Sequence, residues 1–138
     1  CVANSARSQM AEGLSLSLAP EGITILSAGS MPAQVSAYAI EVMSEIRIDL
    51  SAHHSKSVDD IPKENVATVI TLCAEEVCPV FPGEVEKLHW PYPDPAGVVG
   101  SKEKILESFR RVRDQIRAKL VAFFDRGPRG RARHARRS

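Results

Sequence analysis

The chain has 138 residues, 43% of them hydrophobic and 25% charged, which suits one soluble globular domain with a single core. No apolar run approaches the ~20 residues that cross a bilayer, and no signal peptide is visible. Three cysteines, an odd number, argue against a secreted disulfide framework and for a cytosolic protein with reactive thiols. The formal charge of +1 hides an asymmetry: residues 126–138 carry six arginines and no acid, leaving 12 basic and 17 acidic side chains, a net of −5, on residues 1–125.

The first nine residues, Cys1-Val2-Ala3-Asn4-Ser5-Ala6-Arg7-Ser8-Gln9, read as a nucleophilic cysteine, a short loop, an arginine and a serine that opens a helix. Such a loop turns the backbone N–H groups of residues 2–8 inward, and the helix behind it adds its positive end, so the two form a concave seat for a tetrahedral oxyanion. Arg7 adds a two-pronged grip on two of the oxygens. The same field favours a thiolate on Cys1, and Ser8 can donate to it. Ser8–Leu18 reads as helix, with Met10, Leu14 and Leu18 at helical spacing. Ile23–Ser27 is β-branched and short, hence a strand, and Gln34–Glu45 is a second helix whose buried stripe is Val35, Tyr38, Ala39, Val42 and Met43. Val58–Ile61 makes one helical turn.

Val66–Leu72 is the clearest strand, a continuous apolar run suited to a parallel strand buried on both faces. It delivers Cys73 to the sheet edge where open α/β sheets place their chemistry. Residues 74–86, with Cys78 and two prolines, read as loop, Leu88–Trp90 as a last short strand, and Pro91–Ala96 as a proline-fixed loop carrying Asp94. Ser101–Phe124 is one amphipathic helix with Ile105, Phe109, Val112, Ile116, Leu120 and Phe123 on one side. Strands alternating with helices imply an α/β fold with parallel pairing. The domain is expected to span 1–125. The tail 126–138 reads as a disordered, solubilising extension rather than a nucleic-acid contact.

Cys-x5-Arg-Ser resembles the phosphate loop of the low-molecular-weight tyrosine phosphatases. The longer run Asn4-Ser5-x-Arg7-Ser8-Gln9-Met10-Ala11-Glu12-Gly13 resembles the thioredoxin-coupled arsenate reductases built on that fold. Ser27-Ala28-Gly29, Thr71-Leu72-Cys73, Cys78-Pro79, His89-Trp90 and Asp94-Pro95 extend the likeness, although the Cys73–Cys78 segment is shorter than in typical members. The resemblance implies a flavodoxin-like three-layer sandwich around a four-stranded parallel sheet, its first strand missing before Cys1. It also implies a cytoplasmic monomer that reduces arsenate with electrons from thioredoxin or another thiol and needs no organic cofactor.

On that resemblance Cys1 is the nucleophile, Cys73 and Cys78 are the redox pair, Asp94 is the general acid, and His89-Trp90 is positional. The oxyanion lies against Val2, Ala3, Asn4, Ser5, Ala6, Arg7 and Ser8. Taken alone, Cys73 and Cys78 read as structural cysteines and Asp94 as a turn residue. The cysteines and histidines lack the paired spacing of a zinc site. Some reductases of this kind hold potassium through residues matching Asn4, Glu12 and Ser27 plus an aspartate. Lys56 stands at the aspartate's place, where its ammonium can neutralise Glu12, and this argues against a potassium requirement. Two other functions compete: a tyrosine phosphatase working through a cysteinyl-phosphate, and a non-catalytic oxyanion-binding module. The phosphatase reading meets Ala6 where a second cysteine commonly precedes the loop arginine, and only seven aromatic residues in the chain.

Overall fold

The structure, a computed structural model, describes residues 6–29, 33–62, 64, 66–72 and 85–125. Among the described residues three helices and two strands follow in the order α1 (Arg7–Leu18), α2 (Ala37–Ser44), β1 (Thr68–Thr71), β2 (Glu86–His89) and α3 (Lys102–Phe124). Short 3-10 turns lie at Val58–Asp60 and Pro95–Gly97. The architecture is α/β, as the alternation of elements predicts. β1 and β2 pair in parallel, with Thr68 opposite Glu86 and Thr71 opposite His89.

The core is one cluster that joins all three helices. Met10 and Leu14 of α1, Ala39, Val42 and Met43 of α2, and Phe109, Val112, Ile116 and Leu120 of α3 are among its buried members, with Leu50 from the chain after α2. Gly13 lets α1 approach closely, since a Cβ there would stand 2.9 Å from Leu50 Cδ2 and 3.1 Å from Ile48 Cγ2. Ser36 and Ser101 cap α2 and α3 by accepting from the Ala39 and Lys104 N–H groups, each cap contributing about 1 kcal/mol. Arg47 ends α2 at φ 64°, with the Ile48 N–H closing back on the Met43 carbonyl at 3.0 Å, a left-handed helix stop.

Several sequence expectations differ from the structure: β2 is Glu86–His89 rather than Leu88–Trp90, and α2 begins at Ala37 rather than Gln34, which leaves Val35 before it. Ile23–Ser27 is not a strand: among the described residues it has no ladder partner, and the nearest pairing is the isolated parallel bridge Gly29–Ser57. β1 is shorter than Val66–Leu72 and only half-buried throughout, because the described sheet has two strands and covers it from one side only. On α3 the buried face is turned slightly from the expected one. Leu106 and Phe124 are buried, while Ile105 and Phe123 are half-buried against the same core, with Phe123 edge-on to the Trp90 ring 5.9 Å away. Among the described residues no helix is long and apolar enough to cross a membrane. The arginine-rich stretch 126–138 lies outside them.

Candidate active site

The site is built where α1 begins and the chain leaves β2. α1 starts at Ala6 with no side-chain cap, and a helix start of that kind is the arrangement that a bound oxyanion completes. Arg7 and Ser8, its first two residues, are both buried. The Arg7 Nη1 donates to the Tyr92 carbonyl at 2.8 Å, a charge-assisted bond across 85 positions of chain.

Tyr92 belongs to the loop that carries Asp94, and that loop is a continuation of the sheet. The Trp90 N–H donates to the Thr71 carbonyl at 2.8 Å and the Tyr92 N–H to the Leu72 carbonyl at 3.1 Å, so the β1–β2 ladder runs on past β2. The Tyr92 hydroxyl reaches the Gln115 carbonyl of α3 at 3.5 Å, and partial burial raises its phenol pKa above the ordinary value. Asp94 is exposed. Its Oδ1 accepts from the Ala96 N–H at 3.0 Å, capping the Pro95–Gly97 turn, while Pro95 itself is buried. A carboxyl group held through one oxygen can still carry a proton on the other, which is what a general acid needs.

Behind α1 lies a second polar cluster centred on Glu12. The Ser27 hydroxyl donates to Glu12 Oε1 at 2.6 Å, and the Lys56 ammonium stands 3.4 Å from the same oxygen. His53 Nδ1 is 3.0 Å from Oε2 and 3.2 Å from the Gln9 Oε1, so Nδ1 carries its proton between two acceptors. Gln9, fully buried, also donates to the His54 carbonyl at 3.1 Å. Both Glu12 oxygens therefore face donors. At the end of β1, Thr71 Oγ1 and His89 Nδ1 are 2.6 Å apart, and Lys119 lies over the Trp90 ring at 5.8 Å.

Of the residues singled out from sequence, the structure brings Arg7 against the Asp94 loop and Glu12 against Ser27 and Lys56. Cys1, Val2, Ala3, Asn4 and Ser5 lie outside the described residues, as do Cys73 and Cys78. Sequence reasoning missed three participants. Tyr92 contributes through a backbone carbonyl, which leaves no residue signature, although its place before a proline marks a fixed conformation. Gln9 and His53 are polar residues on a helix and in a loop, and only their fully or largely buried setting shows that they have work to do. Among the described residues no group of three or more His, Cys, Asp or Glu side chains is placed to hold a metal ion.

Residues 1–131 match the family model of the low molecular weight phosphotyrosine protein phosphatases, and the chain belongs to that family. Arsenate reductase 2 of Staphylococcus saprophyticus is 42% identical over 127 residues, covering 91% of this chain and 92% of that protein. A solved arsenate reductase in the phosphate binding state superposes with a TM-score of 0.77 at 32% identity, covering 91% of this chain and 92% of the other. The thioredoxin-dependent arsenate reductase of Corynebacterium glutamicum superposes at 0.59 and 28% identity over 89% of this chain, which spans 59% of that longer one. Within the family this chain falls with the arsenate reductases.

Proposed function

We propose that the chain reduces arsenate to arsenite by a relay through its three cysteines. The carrying observation is the Arg7–Tyr92 bond: the arginine of the Cys-x5-Arg motif stands against the loop of the candidate acid, in a chain 42% identical to an arsenate reductase. Arsenate lies against residues 2–8 and Arg7, and the Cys1 thiolate attacks arsenic while a protonated Asp94 gives its proton to the departing oxygen. Cys73 then attacks the Cys1 sulfur. The S–As electron pair passes to arsenic, As(V) becomes As(III), and arsenite leaves a Cys1–Cys73 disulfide. Cys78 attacks Cys73, freeing the Cys1 thiolate, and a Cys73–Cys78 disulfide remains for a dithiol donor of the thioredoxin class. The relay needs one copy of the chain, and a cycle that runs through free thiols suits the cytoplasm. In this reading β1 and β2 belong to the expected four-stranded parallel sheet, residues 1–125 form the catalytic domain, and 126–138 is a solubilising tail.

Counting free thiols tests the reading. Without reductant, arsenate should remove two thiols per chain and release one arsenite. An unchanged count with release of phosphate from an aryl phosphate would instead make the chain a phosphatase, the reaction named by its family model.

Potassium does not fit behind α1. Ser27, His53 and Lys56 already present donors to both Glu12 oxygens, and the Lys56 ammonium supplies the positive charge. Replacing potassium chloride by choline chloride at constant ionic strength is expected to leave arsenate KM and kcat within about twofold, since no ion leaves the site. Lys56→Met is expected to cost about 1–2 kcal/mol of stability, between the ranges for surface and buried pairs. A strong potassium requirement in the unaltered protein would show that an ion sits beside Glu12 after all.

A further inference from the structure

We propose that Tyr92 is a positioning residue: its carbonyl, aimed by Pro93, seats the Arg7 guanidinium and couples the anion-binding arginine to the loop that carries Asp94. The inference rests on the functional reading above only for the roles of Arg7 and Asp94; the seat itself is a matter of geometry. The loop reads Pro91-Tyr92-Pro93-Asp94-Pro95, a proline at every second position. Each proline fixes its own φ near about −65° and keeps the residue before it extended. Asp94, before Pro95, shows that state at φ −67°, ψ 114°. Tyr92 is under the same restriction from Pro93, so its carbonyl has one direction to point.

Both ends of the loop are anchored as well. On one side the Tyr92 N–H is tied to the Leu72 carbonyl and its hydroxyl to α3. On the other, Pro95 is buried in the fold and the Gly97 N–H closes on the Asp94 carbonyl at 3.1 Å. The acceptor that meets Arg7 Nη1 at 2.8 Å is thus held by sheet, helix and proline ring before any anion arrives. A long, flexible side chain that is already ordered loses less freedom when it binds its anion. Asp94 is two residues along the same stiff segment, so arginine and acid are set in register by one element.

The test is a double-mutant cycle read by binding of inorganic phosphate, followed by NMR titration, which reaches millimolar affinities. Pro93→Gly frees the Tyr92 carbonyl without altering Arg7. It should weaken phosphate binding about fivefold, the size expected when one long side chain must be immobilised on binding. In an Arg7→Ala background the same change should cost less than about twofold, because the seat has nothing left to hold. An equal factor in both backgrounds, or unchanged phosphate affinity in the single variant, would overturn the proposal. Should Pro93→Gly not fold, Pro93→Ala relaxes the same restriction and runs through the same cycle. Phosphate binding needs no thiol chemistry, so failure of the three-cysteine relay would leave this readout intact.

Discussion

Replacing Cys1 by serine is expected to abolish arsenate turnover, to below about one ten-thousandth of the unaltered rate, the order of loss that follows removal of an enzyme's nucleophile. The substitution acts twice. A free thiol ionises near pH 8.5 and is drawn lower by a helix N-terminus and a neighbouring arginine, whereas a serine hydroxyl stays protonated and attacks arsenic poorly. Even an oxygen–arsenic adduct would be a dead end, because the next step closes a disulfide and serine has no sulfur to give. The proposed oxyanion seat, by contrast, should survive, since in this reading it is made by backbone N–H groups and Arg7 rather than by the thiol. Phosphate affinity and the circular dichroism spectrum are therefore expected to match those of the unaltered protein while arsenite release disappears. Turnover comparable to the unaltered protein would place the nucleophile elsewhere and remove the basis of the proposed mechanism.

How much of this was legible in the residues depends on how local each feature is. α3 announces itself because a helix is specified by its own periodicity and caps: Ser101 before Lys102 is a cap by type and position. The burial of Leu106 and Phe124 ahead of Ile105 and Phe123 is not local, since it depends on the neighbours that each side chain meets. Ile23–Ser27 has the composition of a strand, but a strand exists only with a partner, and no composition supplies one. The 3-10 turn at Pro95–Gly97 was readable and overlooked: Asp94-Pro95 is an N-cap followed by a proline at the first helical position. The site shows the same division. Cys1, Arg7 and Ser8 form a contiguous motif whose spacing carries chemistry. The acceptor for Arg7 is a carbonyl 85 positions away, and nothing in a sequence marks which carbonyl an arginine will find. Lys56 could be matched to Glu12 through the family resemblance, which sets it at the place of an aspartate. His53 could not, because it presents one nitrogen to Glu12 and Gln9 together, a fact of geometry alone.

Cys78→Ser should convert the enzyme to a single-turnover reagent, and the products should identify the step at which it stops. In the proposed relay arsenic is reduced when Cys73 attacks the Cys1 sulfur and the S–As electron pair passes to arsenic, so arsenite release does not involve Cys78. One equivalent of arsenite per chain is therefore expected, after which the protein holds a Cys1–Cys73 disulfide that peptide mapping will locate. Cys73→Ser should fail one step earlier, retaining the Cys1–arsenic adduct and releasing arsenite only when a small thiol is added to displace it. The unaltered chain, starved of reductant, should stop one step later, as Cys73–Cys78. Three proteins, three arrested species: the order of the thiols is read from where each one stalls. Each transfer requires two cysteine Cα atoms to come within about 4.4–6.8 Å, so Cys73 must meet first Cys1 and then Cys78, and it sits at the right place to do so only if the end of β1 points toward the start of α1. The Tyr92 N–H bond to the Leu72 carbonyl, beside the Tyr92 carbonyl that holds Arg7, supports that direction, since Leu72 is the residue before Cys73. Many turnovers by Cys78→Ser with thioredoxin, at the unaltered rate, would remove Cys78 from the relay and leave a two-cysteine exchange between Cys1 and Cys73 as the better account.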